Sequence, residues 1–160
     1  MAALTNLMTA WGSIYANHAA VRTIVAFFHV GALIAGGGLA VSTDRSLLRA
    51  RRTDEWSRRT LLDALHDAHG LVIGSLALIV ASGALLFAAD YSTYLYSRFF
   101  WIKMGLVVLL TINGAVLWRA ERRALAGDQA AWRTLHVTAV ASITLWFLTT
   151  LGGVALPNIG

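Results

Sequence analysis

Four long apolar stretches limit what this chain can fold into. Each is about 20 residues long, which is enough to cross the ~30 Å hydrocarbon core of a membrane as a helix. Arg22 and His29 interrupt the first of them. The stretches cover residues 19–41, 70–89, 99–118 and 135–156. The pattern predicts an all-α fold, a four-helix transmembrane bundle that forms a single integral-membrane domain over residues 1–160. Its predicted spans are residues 19–41, 68–89, 99–118 and 134–156.

The composition and the placement of charge support a membrane protein. The chain is 58% hydrophobic and only 13% charged. Its pI of about 10.4 would suit a nucleic-acid-binding protein, but the arginines concentrate in the two loops that follow the first and third spans. This asymmetry is the positive-inside pattern, so we expect a bacterial cytoplasmic membrane protein with both termini on the non-cytoplasmic side and no nucleic-acid partner. The arginines concerned are Arg45, Arg49, Arg51, Arg52, Arg58 and Arg59 in the first loop, and Arg119, Arg122, Arg123 and Arg133 in the second.

Shorter patterns lie around the spans. Residues 4–15 carry apolar side chains at helical spacing and predict a short N-terminal amphipathic helix, either on the membrane surface or packed on the mouth of the bundle. Residues 42–63 are expected to contain helical extensions of the first two spans, and residues 90–97 a short outer loop. Gly70 and Gly74 form a small-xxx-small motif for close helix packing. Other glycines beside histidines either serve backbone packing or leave room for a flat macrocycle, and they are Gly36, Gly37, Gly38, Gly152 and Gly153.

Histidines inside apolar segments are the main functional signal. Ionisable side chains within a membrane are costly and by default mark a functional site. The absence of cysteine excludes a covalently attached c-type haem, a cysteine-ligated iron–sulfur cluster and a thiol nucleophile. Imidazoles without thiols favour haem b. His69 and His136 are predicted at similar depth, His136 about 6 Å inside the boundary at Trp132, so we predict that they are the axial ligands of the haem iron.

Other polar residues are candidates for the same or a neighbouring site. His66 is either an alternative ligand, a partner for a haem propionate, or an interfacial histidine, and Arg133 is available for a propionate, as are Arg58 and Arg59. His29, in the outer half of the first span, either binds a cofactor or forms a hydrogen bond with a neighbouring helix. Lys103 either snorkels to the interface or pairs with a propionate or an anionic substrate. Asn113 needs a partner, which a neighbouring helix can supply.

A copper or zinc site is the alternative to haem. His66, His69 and His136 form a possible three-histidine ligand set. Asp63 and Asp67 are the acidic residues that the sequence places near these histidines.

Several segments resemble a bacterial four-span membrane family of unknown function. The resemblance lies in residues 28–31 and 44–48, in residues 82–87 and 99–104, and in residues 142–146. An early membrane histidine together with a lysine at the start of the third span is also similar to copper-resistance CopD-type proteins and, more distantly, to membrane protoporphyrinogen oxidases, which use such a histidine for haem. The resemblance implies functional roles for His29 and Lys103.

These observations predict a haem b-binding integral membrane subunit in electron transfer. Because 160 residues leave no soluble catalytic domain, we expect an accessory subunit of a larger membrane complex, or a homo-oligomer, rather than a free-standing enzyme. Quinone is a candidate redox partner. The alternatives are a membrane protein that transports or handles copper or another small cargo, and a cofactor-free structural subunit of a membrane complex.

Overall fold

The protein is built from helices throughout the part that the computed structural model describes, residues 2–49 and 55–159. The predicted all-α class is confirmed. Four of the six helices are long and apolar enough to cross a membrane, which indicates a multi-pass membrane protein. The helices are α1 (Ala2–Asn17), α2 (Ala19–Arg49), α3 (Glu55–Ala89), α4 (Tyr91–Tyr96), α5 (Arg98–Leu125) and α6 (Ala131–Ile159).

The long helices extend beyond the apolar stretches at one end of the bundle. As expected for residues 42–63, α2 continues to Arg49 and α3 begins at Glu55, while residues 50–54 lie outside the described part. Helix α5 ends at Leu125, and Gly127 has a φ of 90°, a conformation that glycine adopts readily after a helix. We call this end, with the α2–α3 and α5–α6 connections, the arginine end. The opposite end, with α1 and α4, is the tyrosine end.

The bundle is closed more tightly on three sides than on the fourth. Helix α2 packs against α3 and α6, and α5 packs against α6, whereas α3 and α5 make few contacts. An apolar core lies towards the arginine end and includes Leu47, Leu65 and Leu135. A second core surrounds Trp146. The weak contact between α3 and α5 leaves space beside them.

Glycines set the distance between α2 and its neighbours. A Cβ added at Gly36 would lie 2.5 Å from the Cβ of Ser75 on α3, and one at Gly37 would lie 3.0 Å from the Trp146 ring. The packing interpretation therefore holds for these two residues. Among the described residues nothing lies within 4 Å of a Cβ added at Gly70 or Gly74, so the prediction that they form a close helix contact within the chain is wrong. Their helix face is exposed.

Helix α1 packs on the tyrosine end of the bundle. The Trp11 Nε1–H donates a hydrogen bond to the Leu85 carbonyl oxygen at 2.8 Å, and Gly12 lies against the backbone of Ala89. The structure thus favours packing on the mouth of the bundle over an isolated surface helix. The expected outer loop contains α4, whose first turn is capped by Asp90, which accepts from the Thr93 N–H.

Candidate cofactor site

A buried carboxylate brings two of the predicted histidines together near the arginine end. Glu121 on α5 is 0% exposed. Its Oε1 lies 3.1 Å from His66 Nδ1, and its Oε2 lies 2.7 Å from His69 Nδ1. The second contact is at ion-pair distance, although its angles are not those of a hydrogen bond. Because a buried carboxylate without polar neighbours is costly, these imidazoles are what allow Glu121 to lie inside the bundle.

The two histidines occupy different environments. The His66 side chain is 66% exposed and that of His69 is 14% exposed. The Nε2 atom of His69 is buried and has no hydrogen-bond partner within the described residues. His69 therefore presents a nitrogen for which the rest of the described chain provides no acceptor or donor.

His69 lines a cavity of about 330 Å³ whose lining comes from all four long helices. Most of the lining is apolar, with Leu65, Val72 and Leu110 among the side chains and the rings of Trp118 and Trp146 on two sides. This volume is at the lower end of the range for small-molecule sites in proteins. The cavity lies between α3 and α5, where these helices make few contacts.

A second buried carboxylate lies at the same cavity. Asp44 on α2 is 2% exposed, interacts with Ser142 on α6 and lies close enough to His69 for an electrostatic interaction. Its Oδ2 has no hydrogen-bond partner in the described part of the chain. Asn113, also in the lining, donates to the Thr138 carbonyl oxygen at 3.0 Å, which confirms the expected hydrogen bond to a neighbouring helix.

His136 has a different neighbour from His69. Its Nδ1–H donates to the Trp132 carbonyl oxygen at 2.6 Å, one turn earlier in α6. The Nε2 of a neutral ring is then unprotonated, and it is buried with no hydrogen-bond partner among the described residues. His136 does not line the cavity beside His69. The pairing of these two histidines on one iron therefore stays a prediction.

His29 and Lys103 lie together in the half of the bundle nearer the tyrosine end. The Ser82 hydroxyl donates to the Leu78 carbonyl oxygen at 2.6 Å, so it accepts from His29 Nδ1–H at 2.9 Å. The expected hydrogen bond from His29 to a neighbouring helix is present. Lys103 is close enough to His29 for electrostatic repulsion, and its side chain lies over Gly153. These residues do not line the cavity at His69.

The arginines predicted to serve propionates lie apart from this cavity. Arg133 is exposed on α6 and does not line it. Arg58 and Arg59 line a separate cavity at the arginine end. Their availability for a propionate at the His69 cavity stays a prediction.

The two buried carboxylates of the site, Glu121 and Asp44, were not predicted from the sequence. Asp63 and Asp67, the acidic residues expected near the histidines, are exposed, whereas Glu121 and Asp44 are buried beside His69. Helical spacing carries the missing signal. Glu121 follows Leu117 by one turn, and Asp44 follows Ala40 by one turn, so both carboxylates lie on apolar, buried faces.

The arrangement can orient an imidazole towards a ligand in an apolar cavity. One nitrogen of His69 lies beside a carboxylate and the other is free, and a metal-bound histidine commonly has such a carboxylate as the acceptor of its second N–H. No group of three or more histidine or acidic side chains with the geometry of a metal site occurs among residues 2–49 and 55–159. The described residues therefore do not provide a preformed set of three ligands for a metal ion without haem.

Comparisons of the chain with protein-family models, with curated proteins and with solved structures find no match.

Proposed function

We propose that the chain is a haem b-binding membrane subunit in electron transfer, in which His69 would hold the haem iron at the cavity between α3 and α5. The observation that carries this proposal is the environment of the His69 ring. Its Nδ1 lies 2.7 Å from the buried Glu121 carboxylate, and its Nε2 is buried without a partner in the described chain. Haem would satisfy that nitrogen and fill apolar space.

The apolar part of the lining fits such a group, while the described lining contains no arginine or lysine for the propionates. An aromatic and aliphatic lining suits a macrocycle, and only a few polar groups are needed to orient it. With its Nδ1–H turned to donate to Glu121, the His69 ring would be held in one orientation and would be a more basic ligand. His136 is our candidate for the second axial ligand, because its Nδ1–H is donated to its own helix and its Nε2 is left as a lone pair.

Haem supplies reversible one-electron exchange between ferric and ferrous iron. The chain itself would keep water away from the group and position it within the membrane. By the arginine distribution, we propose that the arginine end faces the cytoplasm of a bacterial cell. Further membrane subunits, a second copy of the chain, or quinone would then be the electron partners.

The test is the dithionite-reduced minus oxidised visible spectrum of the purified full chain. Wild-type protein produced with adequate haem should show a sharp α band and a shifted Soret peak. His69→Ala should lose the bound haem, and His136→Ala should lose the low-spin α band. His18→Ala is the matched control, because His18 is exposed between α1 and α2, and the hydrogen bond of its ring within the described residues is to the Ile14 carbonyl oxygen of α1.

The same preparation separates the alternatives. Absence of a chromophore in well-folded wild-type protein would refute haem binding. Bound copper that disappears in His69→Ala, again without a chromophore, would support metal handling, for which the contact of Glu121 with two imidazoles provides a starting point. Absence of both chromophore and metal would leave a structural subunit.

A further inference from the structure

A second cavity, separate from the candidate cofactor site, lies at the arginine end of the bundle. It has a volume of about 460 Å³ and lies between the first turns of α3 and the turn that joins α5 to α6. Two arginines, Arg58 and Arg59, contribute to its lining from α3, and Gln129 and Trp132 contribute from the opposite side. None of the residues at this cavity lines the space beside His69.

Arg58 is held in place at this cavity. Its guanidinium carbon lies 5.2 Å from the centre of the Trp132 ring, a cation–π arrangement. Its Nη1 donates to Gln129 Oε1 at 3.4 Å, which is a long hydrogen bond. Its Nε is buried and has no acceptor within the described residues. The guanidinium is therefore fixed in orientation, and the protein contacts described here leave part of its donor capacity unused.

The charge around this cavity favours an anionic ligand. Two arginines, Arg58 and Arg59, belong to its lining. Asp63 is the acidic residue in the lining, and its side chain is exposed. A planar guanidinium matches the geometry of phosphate oxygens, to which it donates two parallel hydrogen bonds. A phosphate is therefore a good chemical match for Arg58, as is a carboxylate.

The surroundings favour the phosphate of a lipid over a free ion. Arg58 and Trp132 are side chains typical of the headgroup region, at the ends of helices long enough to cross a membrane. Leu62 and Leu125 also line the cavity, and Leu125 is half-exposed. An apolar surface next to a basic pocket at the end of a bundle suits an acyl chain beside an anionic headgroup.

We propose that this cavity binds the phosphate headgroup of an anionic phospholipid, with Arg58 as its principal ligand. The site is independent of any cofactor at His69. It would fix the arginine end of the bundle at the headgroup level of an anionic leaflet.

The test is a lipid titration of the full-length protein in an uncharged detergent, followed by native mass spectrometry. The probes are phosphatidylglycerol, phosphatidylcholine and inorganic phosphate. We expect phosphatidylglycerol to bind wild-type protein at least about fivefold more tightly than phosphatidylcholine, the factor that corresponds to one basic side chain at a membrane surface. Equal affinity for the two lipids would overturn the proposal. Binding of inorganic phosphate in preference to phosphatidylglycerol would also overturn the lipid assignment and would assign the cavity to soluble phosphate.

Variants locate the binding within the molecule. Arg58→Gln should lower the affinity for phosphatidylglycerol about fivefold or more, while Arg58→Lys, which keeps the charge but loses the planar fork, should lower it less. Arg119→Gln is the matched control, because Arg119 is an exposed arginine near the same end that does not line the cavity. Equal losses in Arg58→Gln and Arg119→Gln would show a general charge effect and overturn the site. If Arg58→Gln does not fold, the lipid preference of the wild-type protein and the affinity of Arg58→Lys still test the proposal.

Discussion

The two halves of the bundle differ in the partners of their buried ionisable side chains. Towards the arginine end, His66 and His69 meet the buried carboxylate of Glu121, and Asp44 lies near the same imidazole. Towards the tyrosine end, His29 and Lys103 meet a hydroxyl and glycines. The span residues 68–89, 98–117 and 134–156 contain no acidic residue.

The comparison shows which half of the bundle provides polar partners for its own ionisable side chains. Buried charges are tolerated when partners of opposite charge or hydrogen bonds satisfy them. In one half the sequence provides a carboxylate and two imidazoles on different helices, and their contact links α3 to α5, which otherwise touch little. In the other half the lysine must reach the interface or a partner outside the chain. The first half is therefore expected to be sensitive to mutation of a single charge, and the second half to tolerate it.

The largest effect on stability is expected for Glu121→Leu. Removal of the carboxylate takes a polar contact from two imidazoles, the more buried of which is then left with no polar partner, at a cost towards the upper end of about 1–3 kcal/mol. We expect a loss of that size in the free energy of unfolding, measured by titration of the detergent-solubilised protein with a denaturing detergent. Glu121→Gln, which keeps the shape and one hydrogen-bond acceptor, is the control and should lose less. A loss below about 1 kcal/mol for Glu121→Leu would show that the carboxylate contacts contribute little.

The next effect concerns the close approach of α2 and α3 between the two halves. In Gly36→Ala the new methyl group would overlap Ser75 at 2.5 Å, so α2 and α3 must separate, at a cost of about 1–3 kcal/mol. Gly38→Ala is the matched control, because that position has nothing within 4 Å and alanine favours a helix over glycine. If the two variants unfold at the same denaturant concentration, the close contact does not limit the packing.

A smaller effect of opposite sign is expected for Lys103→Met. Replacement of a half-buried cation by an apolar side chain of similar length removes a desolvation cost that no acidic residue of the spans offsets. We expect the free energy of unfolding to rise by less than about 1 kcal/mol, since the lysine can partly snorkel. A clear loss of stability would break the comparison, because it would reveal an anionic partner for Lys103.

The smallest effect is expected at the α5–α6 turn. A side-chain hydrogen bond from Arg123 and a backbone N–H from Ala130 hold the pKa of the Asp128 carboxyl below its ordinary value of 3.8. The charged form is therefore stabilised in the folded state, so the contribution is present at neutral pH and is lost as the pH falls through the lowered pKa. Asp128→Asn should slightly lower the unfolding midpoint at pH 7, and its difference from wild type should shrink below pH 3.8. Asp67→Asn is the exposed control, and a difference that persists at low pH would contradict the assignment.

Periodicity and charge were enough to predict the fold. The site depends on which face of each helix meets its neighbours, and these patterns do not give that. The apolar stretches predicted the long helices, and the helical spacing of Trp11 and its neighbours predicted α1. The same information did not show that Gly70 and Gly74 face outwards, because a small-xxx-small motif does not specify which face meets a neighbour. Their helix touches α2 through Ser75 instead.

The candidate site shows the same limit for acidic residues. Asp63 and Asp67 are close to the histidines in sequence, but they project from the exposed face of α3. Glu121 is 52 residues beyond His69, and only the packing of α5 brings it to 2.7 Å. A contact across helices depends on which pairs of helices are neighbours, which periodicity within one helix cannot determine.

The open side of the bundle has a consequence for how a ligand reaches the His69 cavity. Because α3 and α5 make few contacts along that side, we expect a membrane-embedded bundle to present the cavity sideways to hydrocarbon. A hydrophobic molecule would then partition into the bilayer before it binds, and its occupancy would follow its mole fraction among the lipids. Binding strengths measured in detergent would therefore depend on the ratio of ligand to detergent, and not on the volume of the sample.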